Sequence, residues 1–97
     1  MKAEEFYTDE ALVAAIREGR NLNHAISFLY RQHSDKLSSF LMKYGASEEQ
    51  AQDVFQDTVV AYIDIAKKDS YRLDAKIGTF LAAIAKNIWF NELKKKE

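Results

Sequence analysis

The sequence predicts an all-α fold, a compact bundle of about four helices, and three observations support this prediction. The chain has 97 residues, which is enough for one domain around one core. It contains no proline and only 3 isolated glycines, whereas a β-sandwich needs many turns. Its apolar residues, 47% of the total, recur at three- and four-residue steps, the spacing of helices that bury one face.

The first helix is predicted to be short and to begin after Thr8, a residue type that caps helix N-termini. Two acids follow in the first turn, where the helix dipole favours negative charge. Leu12, Val13 and Ile16 form the apolar stripe of this helix. Gly19 is expected to end it.

The second helix is predicted to run from about Leu22 to Tyr44, and Gly45 ends it. Residues at three- and four-residue steps, all apolar or aromatic except His33, define its predicted buried face: Leu22, Ile26, Leu29, His33, Leu37, Phe40 and Tyr44. Because His33 lies on this stripe, it is predicted to be a core histidine rather than a metal ligand.

The third helix is predicted to begin at a capping box formed by Ser47 and Gln50 and to run to about Lys67. On a wheel of about 100° per residue, one side gathers the core stripe: Ala51, Val54, Phe55, Thr58, Tyr62, Ile65 and Ala66. The opposite side gathers a second set, which we call the acidic face: Asp53, Gln56, Asp57, Val60 and Asp64.

The acidic face has two interpretations. It is either a solvated helix surface with one isolated valine, or a docking face for a partner helix that carries Arg or Lys around an apolar contact. Charges at the rim of such a docking face would mainly tune the association rate and the specificity. The helical pattern by itself favours the solvated surface.

Residues 68–76 have no clean period and are predicted to form a loop, and the fourth helix begins near Ile77. Its inner face is predicted to consist of Ile77, Leu81, Ile84 and Ile88, with Leu93 as a further candidate. Phe80 lies near this stripe and is expected in the core. Trp89 and Phe90 are neighbours about 100° apart on a helix, so one of them is expected to be partly exposed.

Charge is divided along the chain. Residues 1–66 contain 6 Lys or Arg against 11 Asp or Glu, and residues 67–96 contain 8 against 3. The basic residues of the second part are Lys67, Lys68, Arg72, Lys76, Lys86, Lys94, Lys95 and Lys96, and Tyr71, Phe80, Trp89 and Phe90 lie among them. Cations neutralise phosphates and aromatic rings stack on unpaired bases, so this part is a candidate nucleic-acid surface.

The sequence offers little evidence for a catalytic or metal-binding site. His24 and His33 are expected on opposite sides of one helix, and no glycine-rich phosphate loop is present. Asp53 and Asp57 could form half of a di-metal site, but the Glu-x-x-His ligands of facing helices are missing. The sequence therefore predicts no enzyme, no metal and no cofactor. With no cysteine and no apolar run of membrane-spanning length, a cytoplasmic protein without membrane contact is expected.

Two segments together resemble region 2 of bacterial RNA polymerase sigma factors of the extracytoplasmic-function (ECF) type. The first is S-E-E-Q-A-Q-D-V-F-Q-D-T-V, and the second, after a short interval, is Y-R-L-D-A-K-I-G-T-F-L-A-A-I-A-K-N. F-L-Y-R-Q-H-S-D-K-L resembles the helix that precedes them in the family. The resemblance covers roughly residues 10 to 96.

The resemblance implies a non-enzymatic specificity module for transcription initiation. The acidic face would bind a helical hairpin on the clamp of the largest subunit of core RNA polymerase, with Val60 as an apolar contact. The loop and fourth helix would recognise and help to melt the minus-ten promoter element, with a pocket for a flipped base of the non-template single strand formed by residues 68–76. The DNA-binding residues implied are Lys68, Ser70, Tyr71, Arg72, Lys76, Thr79, Lys86, Asn87, Phe90, Lys94 and Lys95. An anti-sigma factor is a further candidate partner.

Some residues depart from the family pattern. Phe80 stands where the family usually has Trp, Ala83 where a polar or basic residue is common, Asn91 in place of Asp, and Lys94 in place of Arg. These departures bear on base preference more than on fold. The family's C-terminal helix-turn-helix domain is not in the sequence, so residues 1–97 are expected to be a domain of a longer protein. The alternative from another class is a helical protein-interaction bundle that does not bind DNA.

Overall fold

Four helices joined by two short turns and one longer loop make up residues 7–95, the part of the chain that the computed structural model describes. They are α1 (Asp9–Glu18), α2 (Leu22–Lys43), α3 (Glu48–Ala66) and α4 (Ile77–Lys95). The predicted all-α bundle is confirmed, and each helix begins and ends close to its predicted boundary. Lys96, one of the predicted basic residues, lies outside the described residues.

Both ends of α1 and the start of α3 are set by local capping, as the sequence predicts. The hydroxyl of Thr8 accepts a hydrogen bond from Ala11 N at 3.1 Å, and Gly19 ends α1 in the left-handed conformation with φ 72°. At the start of α3, Ser47 Oγ accepts from Gln50 N at 3.0 Å, and Gln50 Oε1 accepts from Ser47 N at 2.8 Å. Both halves of the predicted capping box are therefore formed.

Helix α3 packs against both α2 and α4, and α1 packs against α2 and α3. The predicted core stripe of α3 is buried except for Ile65, which is half-buried, and Val59 is buried in addition. Thr58 is a buried polar residue, and its hydroxyl donates to Val54 O at 2.7 Å, so its burial leaves no unpaired donor. The side of α3 that faces away from this core is the acidic face.

Helix α4 buries a different stripe from the predicted one. The buried residues are Ile77, Leu81, Ala85 and Trp89, whereas Ile84 and Ile88 are half-buried and Leu93 is 37% exposed. The prediction was wrong in this detail because α4 is apolar on several sides, so periodicity does not single out one face. Phe80 is half-buried and packs against the edge of the core.

Trp89 and Phe90 differ in burial, as predicted. Trp89 is 3% exposed, and Phe90 is half-buried. Burying the larger ring removes more apolar surface from water, and the indole N–H of Trp89 finds an acceptor in the main-chain carbonyl of Tyr44.

The buried face of α2 is also shifted from the prediction. Its buried residues are Ala25, Phe28, Leu29, Leu37 and Leu41. Of the predicted stripe, Leu22, Ile26, His33 and Phe40 are half-buried and Tyr44 is exposed. The reason is that α2 packs against α1, α3 and α4, so its covered surface is broader than a single stripe. No helix within residues 7–95 is long and apolar enough to span a bilayer.

Candidate functional site

All five residues of the acidic face are exposed on α3. Val60 is 57% exposed, the largest value among the exposed large hydrophobic side chains of the described residues. It lies one helical turn from both Asp57 and Asp64, because residues three and four apart are neighbours on a helix surface. The structure therefore presents an apolar side chain within a group of carboxylates, as the wheel predicts.

A hollow of about 430 Å³ lies at the amino-terminal half of the acidic face, between α3 and α4. Asp53, Gln56 and Asp57 line it from α3, and Glu92 lines it from α4. Glu92 was not among the predicted residues, because the sequence does not show that the end of α4 comes alongside the start of α3. Its carboxylate adds to the negative charge that a partner would meet here.

The loop 68–76 presents most of its predicted DNA-binding side chains to solvent: Lys68, Ser70, Arg72 and Lys76. Tyr71 differs, since it is half-buried and its hydroxyl lies 3.1 Å from the hydroxyl of Tyr62. Its ring also packs near that of Phe80, with centroids 5.7 Å apart. Tyr71 thus fixes the loop to the core, and burial together with this hydrogen bond raises the pKa of Tyr62 above its usual value.

The exposed side of α4 gathers five of the predicted DNA-binding residues: Thr79, Lys86, Asn87, Phe90 and Lys94. They fall within roughly 100° on the helical wheel, so they share one face. Lys95 is exposed as well, but it projects from a different side of the last turn. We call the five residues together with the loop 68–76 the basic face.

An aromatic cluster borders the basic face. The ammonium of Lys86 lies 5.7 Å from the ring centroid of Tyr44 and 5.8 Å from that of Phe90, within the range of a cation–π interaction. The two rings meet edge to face with centroids 5.4 Å apart, and Phe40 packs on Tyr44 in the same way at 5.2 Å. Sequence reasoning assigned Phe40 and Tyr44 to the core of α2, so it missed their place beside α4.

A second hollow, of about 570 Å³, lies between α2 and the first turns of α4. Lys76 and Thr79, both predicted DNA-binding residues, form part of its wall. Lys36 and His33 contribute from α2, and Asp9 contributes from α1. The α2 residues were missed as site residues because they are more than 40 positions from Thr79 in sequence, and no local pattern links the two segments.

His33 is half-buried, which agrees only in part with its predicted place in the core. Burial holds the pKa of His33 below its usual value, Asp9 acts in the opposite direction, and Lys36 lowers it further. His24 is exposed elsewhere on α2. Among residues 7–95, no three His, Asp or Glu side chains come close enough together to hold a metal ion.

Two side chains of α1 contact the ends of the 68–76 loop, and sequence reasoning did not anticipate either contact. Arg17 donates hydrogen bonds to three main-chain carbonyls where α3 passes into the loop. Asp9 Oδ2 accepts from Ile77 N at 3.0 Å, at the start of α4. The loop is therefore held from a helix that precedes it by about fifty residues.

Comparison with known proteins identifies the family. The model of the Sigma-70 region 2 family matches residues 29–97, which is more than half of the chain. The matched segment includes α3, the loop and α4, and so both the acidic and the basic face. No curated protein and no solved structure matches the chain. The chain therefore belongs to the Sigma-70 region 2 family, whose domains are non-enzymatic, bind RNA polymerase and recognise the minus-ten promoter element.

Proposed function

We propose that this domain is region 2 of an ECF-type sigma factor and that its two faces have separate partners. The acidic face binds the clamp hairpin of the largest subunit of core RNA polymerase. The basic face binds the non-template single strand of the minus-ten element and helps to keep it melted. The observation that carries the proposal is that every residue of the acidic face, Val60 included, is exposed on the helix that is otherwise most involved in the core.

The chemistry of the acidic face fits a basic helical partner. Asp53 and Asp57 lie beside Glu92 around the hollow between α3 and α4, so a Lys or Arg of the partner would meet several carboxylates. Gln56 lines the same hollow and can donate or accept a hydrogen bond. Val60, further along α3, offers the apolar contact that a helical hairpin needs for docking.

The chemistry of the basic face fits a single strand. Exposed lysines and Arg72 can neutralise backbone phosphates, and Phe90 with Tyr44 offers ring surface on which a base can stack. Asn87 is exposed in the middle of α4, where its amide can hydrogen-bond a base edge. The hollow beside Lys76 and Thr79 supports the proposal that a flipped base is received near the end of the 68–76 loop.

A pull-down with core polymerase tests the first contact. We expect Asp53→Lys with Asp57→Lys to abolish measurable binding, because two attractive contacts become repulsive. Circular dichroism should remain unchanged, since both side chains are exposed. Asp35→Lys, which makes one such charge reversal at an exposed position of α2, is the control and should bind like the wild type. Equal binding by the double variant would remove the acidic face from the polymerase contact.

Selection from a pool of randomised short single-stranded DNA tests the second contact. The wild-type chain bound to core polymerase should enrich a defined sequence, and ultraviolet crosslinking should place that strand on residues of the loop and of α4. If the complex forms but enriches no sequence and gives no crosslink to residues 68–95, the helical interaction bundle that does not bind DNA becomes the better assignment. We call the enriched strand the selected strand, and it serves as a defined ligand in further binding experiments.

A further inference from the structure

Arg17, in the last turn of α1, holds the point where α3 passes into the 68–76 loop. Its Nε lies 2.8 Å from Ala66 O, and its Nη2 lies 2.9 Å from Lys68 O and 3.0 Å from Tyr71 O. A guanidinium presents its donors in one rigid plane, so a single side chain can fix three carbonyls relative to one another. The path of the chain out of α3 therefore depends on a residue of α1.

The end of α3 satisfies the carbonyls of Ile63 and Ile65 by main-chain bonds from Lys67 N and Lys68 N, whereas Ala66 O accepts from Arg17. It has no basic residue in its last turn, and its C-cap, Lys67, keeps a right-handed conformation instead of the left-handed turn that a glycine would supply. The last carbonyls of a helix have no partner within it and carry partial negative charge. Arg17 supplies hydrogen-bond donors and a positive charge at this end.

The other end of the loop is held by Asp9, from the first turn of α1. Asp9 Oδ2 accepts from Ile77 N at 3.0 Å, and Ile77 is the first residue of α4. A carboxylate at this position satisfies one of the unpaired N–H groups and complements the positive end of the helix dipole. Asp9 and Arg17 are about two helical turns apart, so α1 holds both ends of the loop.

Between these anchors, Tyr71 and Leu73 are the loop side chains that pack against the core. Tyr71 N donates to Lys68 O at 3.1 Å, and the Tyr71 hydroxyl meets that of Tyr62. The side chains of Ser70, Arg72 and Lys76 are exposed. A loop that is ordered only on binding loses conformational entropy at that moment, whereas a loop already held in its bound shape binds more tightly with the same contacts.

We propose, on the basis of the function proposed above, that α1 holds the 68–76 loop in the conformation that binds the promoter strand. Arg17 is the positioning residue and Asp9 is the second anchor. Helix α1 lies before the segment that the family model matches, residues 29–97. Arg17 contributes to DNA recognition through the loop backbone and does not need to contact DNA itself, whereas Asp9 also lines the hollow beside Thr79.

The test uses the full 97-residue chain with Arg17→Met, which keeps the aliphatic stem and removes every donor. Three quantities are measured: affinity for core polymerase, affinity of the resulting complex for the selected strand, and the rate of tryptic cleavage within the loop. We expect core affinity to change less than about twofold and strand affinity to fall by about tenfold, because the loop must then be ordered on binding. Cleavage after Lys68 and Arg72 should become faster. Arg17→Lys should recover part of the strand affinity, since it keeps the charge but not the planar donors.

Arg20→Met is the matched control, because Arg20 is an exposed arginine that pairs only with Glu18, at 3.5 Å, among the ion pairs of the described residues. It should leave all three quantities unchanged. Asp9→Asn weakens the second anchor and should lower strand affinity while core affinity is kept. The role of α1 would be overturned if the Arg17→Met variant kept the wild-type strand affinity or the wild-type cleavage rate. It would also be overturned if the variant lost affinity for core polymerase by the same factor as affinity for the strand. Failure of the wild type itself to bind core and strand would instead refute the proposed function, and the cleavage rates would still show whether Arg17 anchors the loop.

Discussion

Trp89 donates its indole N–H to the main-chain carbonyl of Tyr44 at 2.8 Å, and this bond joins the later part of α4 to the end of α2. Trp89 is buried, so the donor would have no partner without that carbonyl. The same contact keeps the Tyr44 ring beside Phe90 and under Lys86. A core residue of α4 thus also orders part of the basic face.

Replacing Trp89 by Phe should lower the free energy of unfolding by about 1–3 kcal/mol, because a buried hydrogen bond is lost and the smaller ring leaves a gap. Urea unfolding followed by circular dichroism measures this difference. Asn91→Ala, at an exposed position of the same helix, is the control and should be within about 0.5 kcal/mol of the wild type. A Trp89→Phe variant as stable as the control would show that the indole bond contributes nothing.

Val60→Asp distinguishes a docking face from a solvated face. The side chain is mostly exposed, so we expect the midpoint of thermal unfolding to change little. Binding to core polymerase should fall by at least about tenfold, because a charge would replace the apolar contact at the centre of the acidic face. Ala14→Asp, an exposed apolar-to-acid change on α1, is the matched control. If the Val60→Asp variant binds core polymerase as tightly as the wild type, the valine belongs to a solvated surface.

Lys86→Gln should weaken binding of the selected strand and also reduce its salt dependence. Loss of one phosphate contact lowers the slope of log affinity against log salt by about 0.7 for a single strand. Titrations of the polymerase complex at several salt concentrations, followed by fluorescence anisotropy, measure that slope. Arg20→Gln removes an exposed positive charge outside the basic face and should leave the slope unchanged. Equal slopes for Lys86→Gln and wild type would place Lys86 away from the phosphates.

Protonation of His33 should lower the free energy of unfolding as the pH falls below about 6.5, the usual pKa of an unfolded histidine. Burial lowers the pKa of His33 in the folded protein, so the fold favours the neutral ring. The resulting stability is present above the unfolded pKa and is lost as the pH falls through the lower folded pKa. The charged groups that share its hollow are Lys36, Lys76 and Asp9.

Urea unfolding between neutral and mildly acid pH tests the role of His33. His33→Gln should flatten the decline of the unfolding free energy with falling pH. His24→Gln, at an exposed position of the same helix, should decline like the wild type. If His33→Gln declines as steeply as the wild type, the acid sensitivity comes from the carboxylates instead.

Local chemistry determined much of what the sequence revealed. The cap at Thr8, the left-handed Gly19 and the Ser47–Gln50 capping box each involve residues within a few positions of one another, so their geometry follows from the order of residues. The acidic face was predicted for the same reason, since a single helical period fixes which residues share a side with Val60. Family membership also rests on motifs that can be read along the chain.

Tertiary packing decided the rest. Helix α4 is apolar on several sides, so only its contacts with α2 and α3 select Trp89 and Ala85 for burial over Ile88. The bonds from Arg17 to the start of the loop join residues 49 to 54 positions apart, and no local pattern indicates such partners. By itself the sequence determined the helices, the caps of α1, the capping box of α3 and the two charged faces, because these depend on near neighbours. The packed structure decided which residues hold the loop, because hydrogen bonds between distant segments depend on how the helices come together.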